Sequence, residues 1–173
     1  MLNRISSLFL DSTKTDLEGE GKSSMQLAAA ALLIEAAYMD EQFDESERAV
    51  VSDLVRRRFD LELADSESLL LEAESAVAKS QQLYGFTRAV NDYFTPQERV
   101  ELMEMLWEVV YADGKVHDFE VGLLRRLGGL LYVSDRERAL ARQRVLQRLG
   151  QSRLGFKIMA FNLIGNLREM GLR

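Results

Sequence analysis

Apolar positions along the chain recur at helical spacing almost throughout, and nowhere do they alternate in the way a half-buried strand requires. Leu2, Ile5, Leu8 and Phe9 predict a short amphipathic helix at the start, and the polar, glycine-containing stretch from Asp11 to Ser24 reads as a connection. From Met25 to Met39 the chain is rich in alanine and leucine, with Glu35 as the sole charge. A helix apolar on every side belongs at the centre of a fold, so Glu35 is expected to be buried and to need a partner. Asp44 and Glu47 have capping-box spacing and open a helix to about Phe59, inward at Val50, Val51, Leu54 and Val55. Helices over Asp65–Ser80 and Leu83–Phe94 follow.

Thr95-Pro96-Gln97-Glu98 joins a capping threonine, proline in the first turn and glutamate at the third position, which starts a helix running to Ala112. Another covers Asp118 to Tyr132, and Ser134 with Glu137 opens one to about Leu149. The arginines of that last helix, from Arg136 to Arg148, are read as a solvated face, with an anionic partner as the minority reading. Phe156, Met159, Leu163 and Leu167 then continue a helical spacing beyond Gly150. The expected fold is all-α: a compact bundle of about seven to eight helices. Its divisions are 1–24, a short helix and connection; 25–149, the helical domain; and 150–173, an accessory helix.

One pattern occurs twice. LIEAAYMDEQFDESE, from Leu33 to Glu47, aligns without a gap on LWEVVYADGKVHDFE, from Leu106 to Glu120, so that Glu35 meets Glu108, Tyr38 meets Tyr111, Asp40 meets Asp113 and Glu47 meets Glu120. This is a pseudo-duplicated helix–acidic turn–helix unit. If the two turns face each other, Asp40, Asp44 and Glu47 pool with Asp113, His117 and Glu120. Carboxylates that close either raise each other's pKa or share a cation. Oxygen donors favour calcium, magnesium or manganese, and His117, the only histidine, would shift the preference towards zinc. The competing reading is structural: Glu47 as a cap, an Asp-Gly turn as a common helix end. Against it, a helix C-terminus disfavours negative charge, yet both units place aspartate there.

Composition narrows the function. The chain holds no cysteine, which removes disulfides and thiolate metal sites and suits a reducing, cytoplasmic setting. No apolar run reaches the roughly 20 residues of a membrane span, and the first residues make a poor signal peptide. The net charge of −6 divides unevenly, with 17 acids against 8 bases in residues 1–80 and 11 against 14 in residues 81–173. An acidic first half disfavours nucleic acid as a partner. No nucleophile triad, phosphate loop or dinucleotide turn is present, so an enzyme is not expected and a metal-dependent hydrolase ranks last.

At Ala112-Asp113-Gly114 followed by Glu120, the chain resembles the tellurite-resistance protein B-like (TerB-like) family. The similarity continues through LYGFTRAVNDYFTPQERVELMEMLWEVVYADG and RRLGGLLYVSDRE, and covers residues 25–149. The resemblance implies a bundle of about seven helices with an acidic metal site where two half-units meet. It also implies a non-enzymatic role in stress or tellurite-resistance responses, as a module that in some proteins is attached to membrane-anchored co-chaperones. Asp113 and Glu120 match the family pattern directly; Asp40 and Glu47 match it through the repeat. Glu41 departs from it, standing where the second unit has Gly114, and residues 150–173 extend past it. The alternative function is a helical adaptor or oligomerisation protein whose acidic turns are caps only.

Residues 150–173 carry Arg153, Lys157, Arg168 and Arg173 against Glu169. A basic amphipathic segment of this kind docks on protein, with a homodimer the simplest case, or lies on an anionic membrane surface. Truncation after Gly150 is expected to leave a folded domain that has lost self-association or lipid binding, as read by circular dichroism, sedimentation and vesicle co-flotation. An unfolded truncation product would make the segment part of the core.

Overall fold

A computed structural model describes residues 17–38, 45–79, 83–112, 116 and 118–150. They form seven helices and no strand: α1 (Leu17–Ala37), α2 (Glu45–Phe59), α3 (Leu63–Lys79), α4 (Tyr84–Tyr93), α5 (Pro96–Val110), α6 (Asp118–Leu130) and α7 (residues 135–150). The fold is all-α, as the periodicity requires. The helix expected over residues 1–10 and the accessory helix after Gly150 lie outside the described residues.

The bundle is built around α1. Every residue from Leu27 to Ala37 is buried except Glu35, which is half-buried. This helix packs against α2, α3, α4, α5 and α6, so it meets neighbours on all sides. Small side chains make that possible. Ala28, Ala29, Ala30 and Ala31 let neighbouring backbones approach closely, while Leu32, Leu33 and Ile34 fill the space between helices. One boundary differs from expectation. α1 starts at Leu17, eight residues before Met25, and so takes in part of the stretch read as a connection. Its glycines each cost about 1 kcal/mol in a helix, but leucine, glutamate and lysine between them are good helix formers. Extending an existing helix also avoids the nucleation penalty.

Local signals set the later boundaries. At α5, the Thr95 side chain accepts from the Glu98 N–H while the Glu98 carboxylate accepts from the Thr95 N–H, with Pro96 in the first turn. Ser134 and Glu137 make the same reciprocal pair at α7, with Ser134 N–H to Glu137 at 2.9 Å. The Thr95 backbone bond holds the Glu98 carboxyl below the usual carboxylate range, and the Ser134 hydroxyl does so for Glu137. The helix ends at the other side of two corners use left-handed residues that are not glycine. Asp60 has φ 53° and Tyr132 has φ 55°. At the second corner, Tyr132 N–H donates to Gly129 O and Val133 N–H to Gly128 O, the paired bonds of a Schellman cap.

The two breaks that frame the acidic turns fall in one register. Ala37 and Val110 end their helices 73 positions apart, and Glu45 and Asp118 begin theirs 73 positions apart. Burial follows the same offset: Leu33, Ile34, Ala36 and Ala37 are buried like Leu106, Trp107, Val109 and Val110, and Glu35 is half-buried like Glu108.

α7 is fastened differently. Its core contribution is Ala141 and Val145, and charged contacts do much of the rest. Arg144 Nε donates to Glu104 at 2.6 Å, and Arg148 reaches Glu104 at 2.6 Å and Glu108 at 2.7 Å. Arg57 on α2 reaches Glu108 at 3.2 Å from the other side. The arginines read as a solvated face thus clamp α7 onto α5. The reason is that Glu104 and Glu108, only 12% and 19% exposed, need cationic partners, and the one arginine of α5 itself, Arg99, donates to Asn91 instead.

Two predictions follow from α1. Ala30→Leu should overpack the seam between helices and destabilise the fold by about 1–3 kcal/mol in urea unfolding, with an unchanged m-value. For Glu35, burial pushes the carboxyl above its ordinary value. The folded state therefore holds this proton more tightly, so the contribution is full below the unfolded pKa and lost as pH rises through the folded one. Glu35→Gln should remove that loss, leaving the variant relatively more stable at neutral pH than in acid. Parallel profiles for the two proteins between about pH 4 and pH 7 would contradict this.

Candidate functional site

The acidic turns are represented by their inner glutamates. Glu47 and Glu120 each stand at the third position of their helix, α2 and α6, and each is half-buried and engaged with neighbours. Glu45 and Asp118 add further acids in the same first turns. Asp40, Asp44, Asp113 and His117 lie outside the described residues. Among the described residues, no three acids or histidines gather closely enough to hold a metal.

Glu35 and Glu108, which the ungapped sequence alignment sets opposite each other, sit near the ends of α1 and α5 before these turns. Glu108 is bound by Arg57 and Arg148. Of the partners open to Glu35, namely Tyr38, an arginine or the acidic site itself, none among the described residues pairs with it, and burial pushes its carboxyl up. Tyr38 is exposed and turned to other contacts.

A second site was not foreseen. α5, α6 and α7 enclose an open groove of about 600 Å³. Its floor is Met103, Trp107, Val121 and Leu124, with Leu146 at one end. Trp107, the only tryptophan, is 6% exposed and stacks on Tyr111 at 5.6 Å between ring centroids. The Arg142 guanidinium lies over the Trp107 ring at 4.9 Å and donates from Nε to the Tyr111 hydroxyl at 2.7 Å. The indole N–H of Trp107 is buried without a hydrogen-bond partner among the described residues. Arg125 and Arg138 complete a cationic rim, in which Arg138 pairs with Asp135 and donates to the Arg125 carbonyl at 2.6 Å. Gly128 belongs to this arrangement because the aliphatic stem of Arg138 occupies the space a Cβ would need. The signal available in the sequence was the lone tryptophan one turn before Tyr111, with arginine recurring on the helix after Ser134. Joining them requires knowing that α7 crosses α5 beside that turn.

Comparison with known proteins bears on both sites. A family model described as Tellurite resistance protein TerB matches residues 26–143, close to the span of the resemblance and containing every candidate acidic residue as well as most of the groove. No curated protein and no solved structure matches the chain. With well over half of its length matched, the chain belongs to the tellurite resistance protein TerB family.

Proposed function

We propose that the chain is a non-enzymatic, divalent-metal-binding module serving a stress or tellurite-resistance-related response in the cytoplasm, its working domain being residues 25–149. The observation that carries this is the repeated placement of Glu47 and Glu120. Both are half-buried third-position glutamates, each one turn beyond an acidic break that falls in the same register. A pair of caps needs only one carboxylate per helix. The additional acids Asp40, Asp44 and Asp113 give a surplus of like charge that a cation would relieve. The donor set is chemically suited to such an ion. Asp40, Asp44, Glu47, Asp113 and Glu120 offer hard oxygen atoms for calcium, magnesium or manganese, and His117 offers a nitrogen that would also accept zinc. A bound ion would supply charge neutralisation to the acids that hold it. The protein's own residues fix where the starts of α2 and α6 lie.

The alternative, a helical adaptor whose acidic turns are caps, is favoured by the groove beside Trp107, since an apolar channel with a charged rim is suited to protein docking. The two readings make opposite predictions for metal. If the site is real, a divalent ion at a hundredfold excess over its dissociation constant should stabilise the chelator-treated protein by about 2.7 kcal/mol, seen as a rise in Tm and as saturable heat in calorimetric titration. No response to calcium, magnesium, manganese or zinc would leave the adaptor. Asp113→Asn should weaken the metal response while raising the stability of the metal-free protein, because it removes one of several repelling charges at nearly constant volume. An Asp113→Asn protein that is less stable without metal, with unchanged affinity, would make Asp113 structural.

A further inference from the structure

We propose that the groove between α5, α6 and α7 is a docking site for an acidic amphipathic helix of a protein partner. The proposal stands apart from the metal reading and uses none of its residues. The floor is continuous with the core through Met103, Trp107 and Leu124, so an apolar side chain entering it meets a preformed, well-packed surface. A volume of about 600 Å³ takes a few large side chains, which a helix presents at i, i+3, i+4 and i+7.

Charge then selects the partner. Arg142 uses only Nε towards a described residue, leaving its other two nitrogens as donors, and the exposed Arg125 side chain pairs with no described residue. Asp135 is the one acid lining the groove, and it is already paired with Arg138. The rim is therefore cationic, with donors to spare for carboxylates. Trp107 adds an independent mark. Its buried indole N–H lacks an acceptor among the described residues, an uncommon state that an incoming carbonyl or carboxylate would relieve once Arg142 shifts aside.

Competing occupants fit less well. Residues 150–173 carry four bases against one acid and would be repelled by the rim. A planar bilayer meets the rim arginines but does not reach a recessed floor. Nucleic acid would use the rim arginines through its phosphates but leave the apolar floor of Met103, Val121 and Leu124 without a matching group.

Trp107 is also the reporter, because it is the chain's only tryptophan. The full chain would be titrated with a synthetic helical peptide bearing leucines at i, i+3, i+4 and i+7 and glutamates on the flanks. A twin with lysines in place of glutamates and vesicles of phosphatidylglycerol serve as comparisons. The expected result is a saturable change in Trp107 emission with the glutamate peptide only. Binding should weaken roughly tenfold when Arg125→Gln and Arg142→Gln are combined. Arg125→Gln alone guards against misfolding, since that side chain holds nothing in place, and should weaken binding severalfold with an unchanged melting temperature. The proposal is overturned if the glutamate peptide leaves the emission unchanged or if the lysine twin binds as well. It is equally overturned by a response to vesicles alone, which would make the surface a membrane contact. Emission that varies with protein concentration before any peptide is added would assign the groove to a second copy.

Discussion

Burial of α1 on all its sides is the constraint from which the rest of the bundle takes its shape. A run of alanines flanked by leucines has no polar face to offer water, so other helices must enclose it. The helices α2 to α6 do so directly. Because the alanines are small, those helices come close, and close approach fixes their separations to within the tolerance of a packed core. The positions of the helix starts that carry Glu47 and Glu120 are inherited from this packing, since α2 and α6 both rest on α1. The single half-buried charge in that stretch, Glu35, lies towards its turn-facing end, where the apolar enclosure gives way to acidic sequence.

The frame of the fold was legible because its signals are local. Thr95 and Glu98 lie within one turn, as do Ser134 and Glu137, and their reciprocal bonds need no distant partner. The centrality of α1 was legible in its composition alone. What stayed hidden depends on pairs distant in sequence. Arg144 and Arg148 look solvated until Glu104 is placed beside them, 40 and 44 positions away. Arg142 and Tyr111 are 31 positions apart. The start of α1 at Leu17 was masked for another reason: glycine and polar residues suggest a loop, and only attachment to a long buried helix offsets their weak propensity.

The acidic turns and the groove impose different demands on the same scaffold. On the proposed metal reading, the acids of the turns would be relieved of mutual repulsion by a cation. The groove instead exposes apolar surface under a cationic rim, and asks for a partner with both carboxylates and leucine-like side chains. α6 touches both, carrying Glu120 in its first turn and Leu124 one turn later. A change at one end of this helix therefore has a rigid element along which to reach the other.

The fastening of α7 gives the molecule one edge of a different character. Elsewhere apolar contact, which dissolved salt leaves intact or strengthens, is joined by fewer ion pairs, such as Arg48–Glu74 between α2 and α3 and Arg58–Glu98 between α2 and α5. Along α7 the grip is a ladder of carboxylates and guanidinium groups with arginines nearly half open to water. Ionic strength screens such contacts over roughly 10 Å at ordinary concentrations. The surroundings of the protein thus act alongside Ala141 and Val145 in setting how tightly this last helix is shut.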